Sequence, residues 1–222
     1  MRLVAMAVIL ASAAPLHARG GDVTGVVRYA GPEPQREPLR VTKDQPTCGA
    51  EVPDETLVVS NGNLANAVVS VGRVPGVQLA PTQVVLDQRK CRFVPRVLTA
   101  PVGSTVEIVN SDAILHNAHG WAGKATVFNV PMPDEGQRAP KPLRKAGLVK
   151  VGCDVHAWMG AWIHVAEGPA AVSAADGSYR LSGLPPGTYT LKVWHEKLGE
   201  RSASVTVPAT GDVRVDLELP VR

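Results

Sequence analysis

Val151-Gly152-Cys153-Asp154-Val155-His156-Ala157-Trp158-Met159 is the stretch that decides how this chain is read. A strand ending near Val151 delivers Cys153, a tight loop carries His156, and Met159 opens the next strand. Three donors on one short loop can converge on a single ion, but a fourth must come from elsewhere. Asn110-Ser111-Asp112-Ala113-Ile114-Leu115-His116-Asn117 supplies it: a strand ends just before His116.

Two imidazoles, one thiolate and a weak thioether form the ligand set of a mononuclear copper site. The expected ligands of one Cu(I)/Cu(II) ion are therefore His116, Cys153, His156 and Met159. The metal deprotonates a coordinated thiol, so Cys153 needs no separate base. Asn117 is expected to hydrogen-bond within the ligand loops. Zinc is the competing metal, but it favours a further Cys or His over Met. A binuclear copper centre needs a second cysteine in the loop, where Asp154, Val155 and Ala157 stand instead. The bland reading makes Cys153 a buried thiol and the histidines surface residues. His119, three residues after His116, points to the opposite side of a strand and is not read as a ligand. His164 reads as a surface or packing residue. His156 is expected to be the ligand that reaches solvent. Trp158 and Trp162 flank the site, and Trp158 has two readings: core packing, or an apolar docking surface beside His156. Trp194-His195-Glu196 reads as a strand end with one buried face.

Outward from these loops the chain is a succession of short apolar, β-branched runs. Eight candidate strands fall between about 83 and 167: Val84–Asp87, Arg96–Ala100, Thr105–Asn110, His116–Gly120, Val127–Val130, Gln137–Pro140, Gly147–Val151 and Ala161–Val165. Before them come Val23–Tyr29, Leu57–Ser60 and Ala67–Val71. After them come Ser178–Leu181, Thr188–Trp194, Ala203–Val207 and Val213–Leu219. The last run alternates cleanly, with Val213, Val215, Leu217 and Leu219 on one face. No long amphipathic helix is apparent. With 21 Gly and 19 Pro in 222 residues, turns are frequent, and the fold class is all-β, built of sandwiches. Residues 31–56, rich in Pro and charge, read as a long loop carrying Cys48.

Met1-Arg2 followed by the apolar run Leu3 to Ala14 has the form of a secretory signal peptide, with cleavage expected after Ala18. A retained anchor helix is the alternative, though the run is short for a membrane span. Cleavage removes Arg2 and takes the formal net charge from +3 to +2. A nearly neutral chain without a basic run gives no reason to expect nucleic acid or an anionic membrane as partner. Export to the periplasm or beyond places three cysteines in an oxidising compartment. Cys153 is claimed by the metal, so Cys48 and Cys91 are expected to pair; the competing idea leaves both free.

The copper loop, Cys153-x-x-His156-x-x-Met159, resembles the short loop of amicyanin among the cupredoxins. Asn110-x-Asp112-x-x-x-His116-Asn117 is similar to the first-histidine motif of amicyanin and plastocyanin. The resemblance covers about residues 83–167 and implies a Greek-key sandwich. Ala174-Ala175-Asp176-Gly177-Ser178-Tyr179 and Leu184-Pro185-Pro186-Gly187-Thr188-Tyr189 resemble the turns of the carboxypeptidase regulatory-like, transthyretin-type sandwich. That family's opening strands look like Gly21 to Gly31 and Asn66 to Val71. The expected organisation is thus one sandwich from residues 21–80 and 169–222, interrupted by a cupredoxin at 83–167. A tandem layout is the rival. No nucleophile, general base or open metal position is visible. The expected function is accordingly that of an electron carrier serving a redox protein partner, and no enzyme is expected. A copper storage or delivery protein, and a structural surface protein with an accessory copper site, are the alternatives.

Overall fold

The computed structural model describes residues 20–221, and the expected leader lies outside them. The described chain is all-β apart from one short helix at Gln45–Cys48. Among the described residues, no helix is long and apolar enough to cross a membrane.

Four sheets make two sandwiches, each with its own apolar core. In the first, one sheet runs Arg138–Pro142, Thr105–Asn110, Gln83–Arg89, Arg92–Val94. The facing sheet runs Ala125–Met132, His116–Ala122, Gly147–Gly152, Gly160–Ala166, Val97–Pro101. Alternation sets the inward faces: Phe128, Val130 and Met132 are buried on one strand, and Val149 and Val151 on another, with Lys150 outward. These side chains meet Leu86, Phe93, Ile108 and Ile163 in a common core. Full burial of each such side chain contributes about 2 kcal/mol. Gly120 must be glycine, because a Cβ there would stand 2.5 Å from the Phe128 ring.

Pairing across this second sheet positions the candidate site. Gly152 lies opposite Gly160, so residues between them form a hairpin loop. His119 lies opposite Gly152, which carries His116 beyond the strand end to the level of that loop.

In the second sandwich, Gly21–Tyr29 pairs antiparallel with Ser178–Leu184 and parallel with Val213–Arg214 and Leu217–Leu219. The opposing sheet runs Ala170–Val172, Val68–Ser70, Gly187–His195, Gly199–Val207. Residues on both sides of 83–167 in sequence thus share hydrogen bonds and one core, including Val27, Leu64, Val69, Leu181 and Leu219.

Three details differ from the sequence reading. A strand at Arg92–Val94 follows the Lys90-Cys91 turn, both of whose residues have positive φ; its brevity hid it. The final run is not one strand. It breaks between Arg214 and Leu217, where the Asp216 carboxylate accepts the Val26 N–H and the Val215 carbonyl accepts the Tyr179 hydroxyl. The Pro-rich loop is also partly structured: Leu39–Arg40 pairs with Glu51–Val52 around the short helix. Val41, Cys48 and Val52 are buried in the core of the first sandwich.

The sandwiches meet through buried polar groups. Arg96 grips Glu196 with two hydrogen bonds, of 2.6 and 2.8 Å, and also donates to the Gly160 carbonyl. Trp162 donates to the same carboxylate and meets Trp194 edge-on at 5.0 Å. Nearby, His195 is buried, accepts the Lys197 N–H on Nδ1, and has no partner for Nε2 among the described residues. Burial pushes its pKa down to about 4, with Glu196 opposing and Arg96 and Lys197 adding to the fall.

Two outcomes follow from this interface. Glu196→Ala leaves a guanidinium only 11% exposed without its counter-charge, so denaturant unfolding should report a loss of about 3 kcal/mol. His195 binds its proton more weakly folded than unfolded. The stability it permits is complete above its unfolded value and is lost as pH falls from near 6.5 through about 4. Between pH 7 and pH 4 the wild type should lose about 3 kcal/mol more than His195→Phe in paired denaturant titrations. Equal losses would remove the assignment.

Candidate metal centre

His116, Cys153 and His156 converge at one pole of the first sandwich. The two imidazoles are fully buried, and Cys153 is only 5% exposed. Nδ1 of His116 stands 3.0 Å from Nδ1 of His156, and the Cys153 sulfur stands 3.7 Å from the latter. One donor atom from each of the three residues falls within 4.8 Å of the others. Met159 is buried in the same core, and its N–H donates to the His156 carbonyl, closing the loop as a tight turn.

The outer nitrogens fix the tautomers. His116 Nε2 lies 3.0 Å from an Asp112 carboxylate oxygen, and His156 Nε2 lies 2.9 Å from an Asp44 carboxylate oxygen. A carboxylate oxygen accepts, so each Nε2 acts as the donor and each Nδ1 is turned toward the other and toward the thiol. Burial pushes the His116 pKa down against the pull of Asp112, which favours the neutral ring. Two buried ring nitrogens this close beside a thiol call for a shared proton or a metal ion between them. Two nitrogens each about 2 Å from a shared ion stand about 3 Å apart, which is the separation found. The donor set fits a metal ion, and its thiolate, two imidazoles and neighbouring Met suit copper better than zinc.

The surroundings brace this set. The Asn117 N–H donates to the Cys153 sulfur at 3.4 Å. Its side-chain amide bonds Asp154 and Asn129, and the Asp154 N–H donates back to Asn117. Asn117 thus laces the His116 strand to the Cys153 loop. Asp154 pays for partial burial, yet hydrogen bonds from Asn117 and His119 hold its carboxyl below the usual range. Asp112 accepts the Lys90 and Cys91 N–H groups as well as His116.

His119 faces away from the three donors, stacks on Trp121, and bonds Asp154 and Thr126. His164 is paired with Thr99, and burial lowers its pKa. Trp158 is half-buried, packs against the first core, and donates to the Cys91 carbonyl at 3.1 Å. One expectation is overturned: His156 does not reach solvent. Asp44, arriving from the Pro-rich segment, covers its outer edge. Asp44 and Asp112 were both missed as site residues. Asp112 lay within the quoted first-histidine motif, four residues before His116; Asp44 carried no signal, being 112 residues from its partner.

Cys48 and Cys91 form a disulfide with a Cα–Cα separation of 5.3 Å, leaving Cys153 as the free thiol among the described residues. The bridge joins the end of the short helix to the turn whose N–H groups hold Asp112.

A family model described as the carboxypeptidase regulatory-like domain matches residues 159–220. No curated protein matches the chain. Among solved structures, the chain is similar to a copper-containing nitrite reductase from Thermus scotoductus, at 29% identity over 43% of this chain and 25% of that one, with a TM-score of 0.35. It therefore spans about a quarter of that enzyme. A purple cupredoxin from Nitrosopumilus maritimus aligns at 24% identity over 38% of this chain and 99% of its own, with a TM-score of 0.34. A reduced tryptophan-to-tyrosine variant of amicyanin aligns at 27% over 45% and 98%, with a TM-score of 0.35. The described chain folds as two β-sandwiches, and most of the segment matched by the family model, from Ala170 on, lies in the second.

Alkylation of the metal-free, non-reduced protein after denaturation should add label at one thiol, Cys153, by intact mass. Label at three thiols would remove the bridge.

Proposed function

We propose that this chain is an exported type 1 copper protein that carries single electrons between redox protein partners. The ligands are His116, Cys153, His156 and Met159. The observation that carries the reading is the buried convergence of His116 Nδ1, His156 Nδ1 and the Cys153 sulfur, with the two nitrogens 3.0 Å apart. A copper ion held there would supply one-electron exchange between Cu(I) and Cu(II).

The chain's own contribution is rigidity. His116 and His156 are each held at Nε2 by a carboxylate, and Cys153 accepts a backbone N–H. Little can move when the charge at the centre changes, and a fixed donor set keeps reorganisation small. Burial of all three donors keeps water from completing a coordination shell, which favours electron transfer over bond-making chemistry. The same enclosure disfavours release of the ion, as a storage or delivery role requires.

The proposed domain division, which the strand pairing supports, is residues 21–80 with 169–222 as the regulatory-like sandwich and 83–167 as the cupredoxin. The excursion at 39–52 packs on the latter. Trp158 sits at the half-buried margin of the site and is the proposed docking contact for a redox partner. A disulfide, a leader-like N-terminus and the reading of the metal site support a periplasmic or secreted location.

Reconstitution with Cu(II) should give an intense visible thiolate-to-copper band that bleaches on reduction, and Cys153→Ser should abolish it. Met159→Leu should keep copper and colour while shifting the reduction potential. A colourless Cu(II) protein would sink the type 1 assignment.

A further inference from the structure

The segment Leu39 to Val52 folds back onto the metal centre although nothing in a cupredoxin sandwich requires it. Its short ladder, Leu39–Arg40 with Glu51–Val52, encloses a single helical turn. Asp44 precedes that turn in the left-handed region, at φ 54°, a conformation that Asp tolerates better than most residues. Its carbonyl accepts the Thr47 and Cys48 N–H groups, at 3.0 and 2.9 Å, which fixes the backbone. The Gln45 side chain donates to the Val41 carbonyl at 2.7 Å, closing the base. Val41 and Val52 anchor the segment in the copper-side core.

Three constraints then aim one carboxylate. The Asp44 side chain reaches His156 Nε2 at 2.9 Å, and the imidazole beneath has no exposed surface while Asp44 itself is 36% exposed. The helical turn ends in Cys48, bridged to Cys91. The Cys91 N–H in turn holds Asp112, the carboxylate on His116. A single covalent bond thereby joins the backbones behind both histidine anchors.

We propose that residues 39–52 are a lid built into the chain, latched by the Cys48–Cys91 disulfide, and that Asp44 is a positioning residue for His156. Resting on the copper reading above, the lid removes the His156 edge from direct contact with a partner. It also places a negative charge against that ligand. Electrons enter or leave across the lid or beside it, and the carboxylate favours the more highly charged Cu(II) state.

Two measurements test this, one of them without copper. In the metal-free protein, diethyl pyrocarbonate labelling read by peptide mass spectrometry should spare His156 while modifying the partly exposed His119. Asp44→Ala, and separately the paired Cys48→Ser and Cys91→Ser variant, should bring His156 labelling up towards that of His119. In the copper-loaded protein, Asp44→Asn keeps the shape of the lid but removes its charge, and should raise the reduction potential; Asp44→Glu should restore it towards wild type. Asp44→Ala should also speed electron self-exchange. Labelling of His156 that stays at the wild-type level in both opened variants overturns the lid. An unchanged potential in Asp44→Asn overturns the positioning role. If the wild type takes up no copper, the function reading falls, while the labelling result still decides the lid.

Discussion

Two buried ring nitrogens, Nδ1 of His116 and Nδ1 of His156, face each other 3.0 Å apart beside the Cys153 thiol, and much of the first sandwich is arranged around that approach. They stay in place because each ring is tethered from behind by a carboxylate, and each carboxylate is fixed by backbone N–H groups or by a locked turn. Buried polar groups left unmatched are costly, so on the proposed reading this held convergence would be the source of affinity for a metal ion.

Much of this was legible in the sequence because it is local. Cys153, His156 and Met159 share one hairpin loop, so their spacing alone placed them together. The odd cysteine count, once Cys153 was given to the metal, left Cys48 and Cys91 as a pair. The Asp-Gly and Pro-Pro-Gly turns at 176–177 and 185–187 carry their own backbone signals. What could not be read is what depends on distant partners. Asp44 lies in a segment with no periodicity, and its importance comes from a fold that brings it to a residue 112 positions away. The assumption that His156 faces solvent failed for the same reason: exposure is a property of everything that packs on a residue. The clean alternation of Val213 to Leu219 hid a break, since side-chain pattern does not reveal that the Asp216 carboxylate takes the Val26 N–H and the Val215 carbonyl the Tyr179 hydroxyl there, with one main-chain bond left from Val215 to Thr24.

The interface between the sandwiches adds a second kind of dependence. Arg96 bonds the Gly160 carbonyl at the exit of the ligand loop while gripping Glu196 on a hairpin of the other sandwich. Trp162, on the strand that leaves the loop, shares that carboxylate. The loop that carries three of the proposed ligands is therefore braced on one side by the disulfide-linked lid and on the other by the regulatory-like sandwich. Through these contacts the second sandwich can set how stiff the proposed metal site is.

The strand Gly21–Tyr29 has a consequence for the order of events in making the protein. Its parallel neighbours lie near the far end of the chain, and the Asp22 N–H finds its acceptor, Asp212, 190 residues later. Closing so long a loop carries a large entropic cost before any contact compensates it. Strands between 83 and 166 pair with one another and can assemble before the C-terminal strands are available. The opening strand, whose neighbours at 178–184, 213–214 and 217–219 all come later, must meanwhile stay unpaired on both edges apart from Arg28 opposite Asn63, an apolar β-segment open to mispairing. Copper-side folding first and closure of the second sandwich last is the sequence this topology favours, so a truncated chain would leave the metal centre assembled and an adhesive edge exposed.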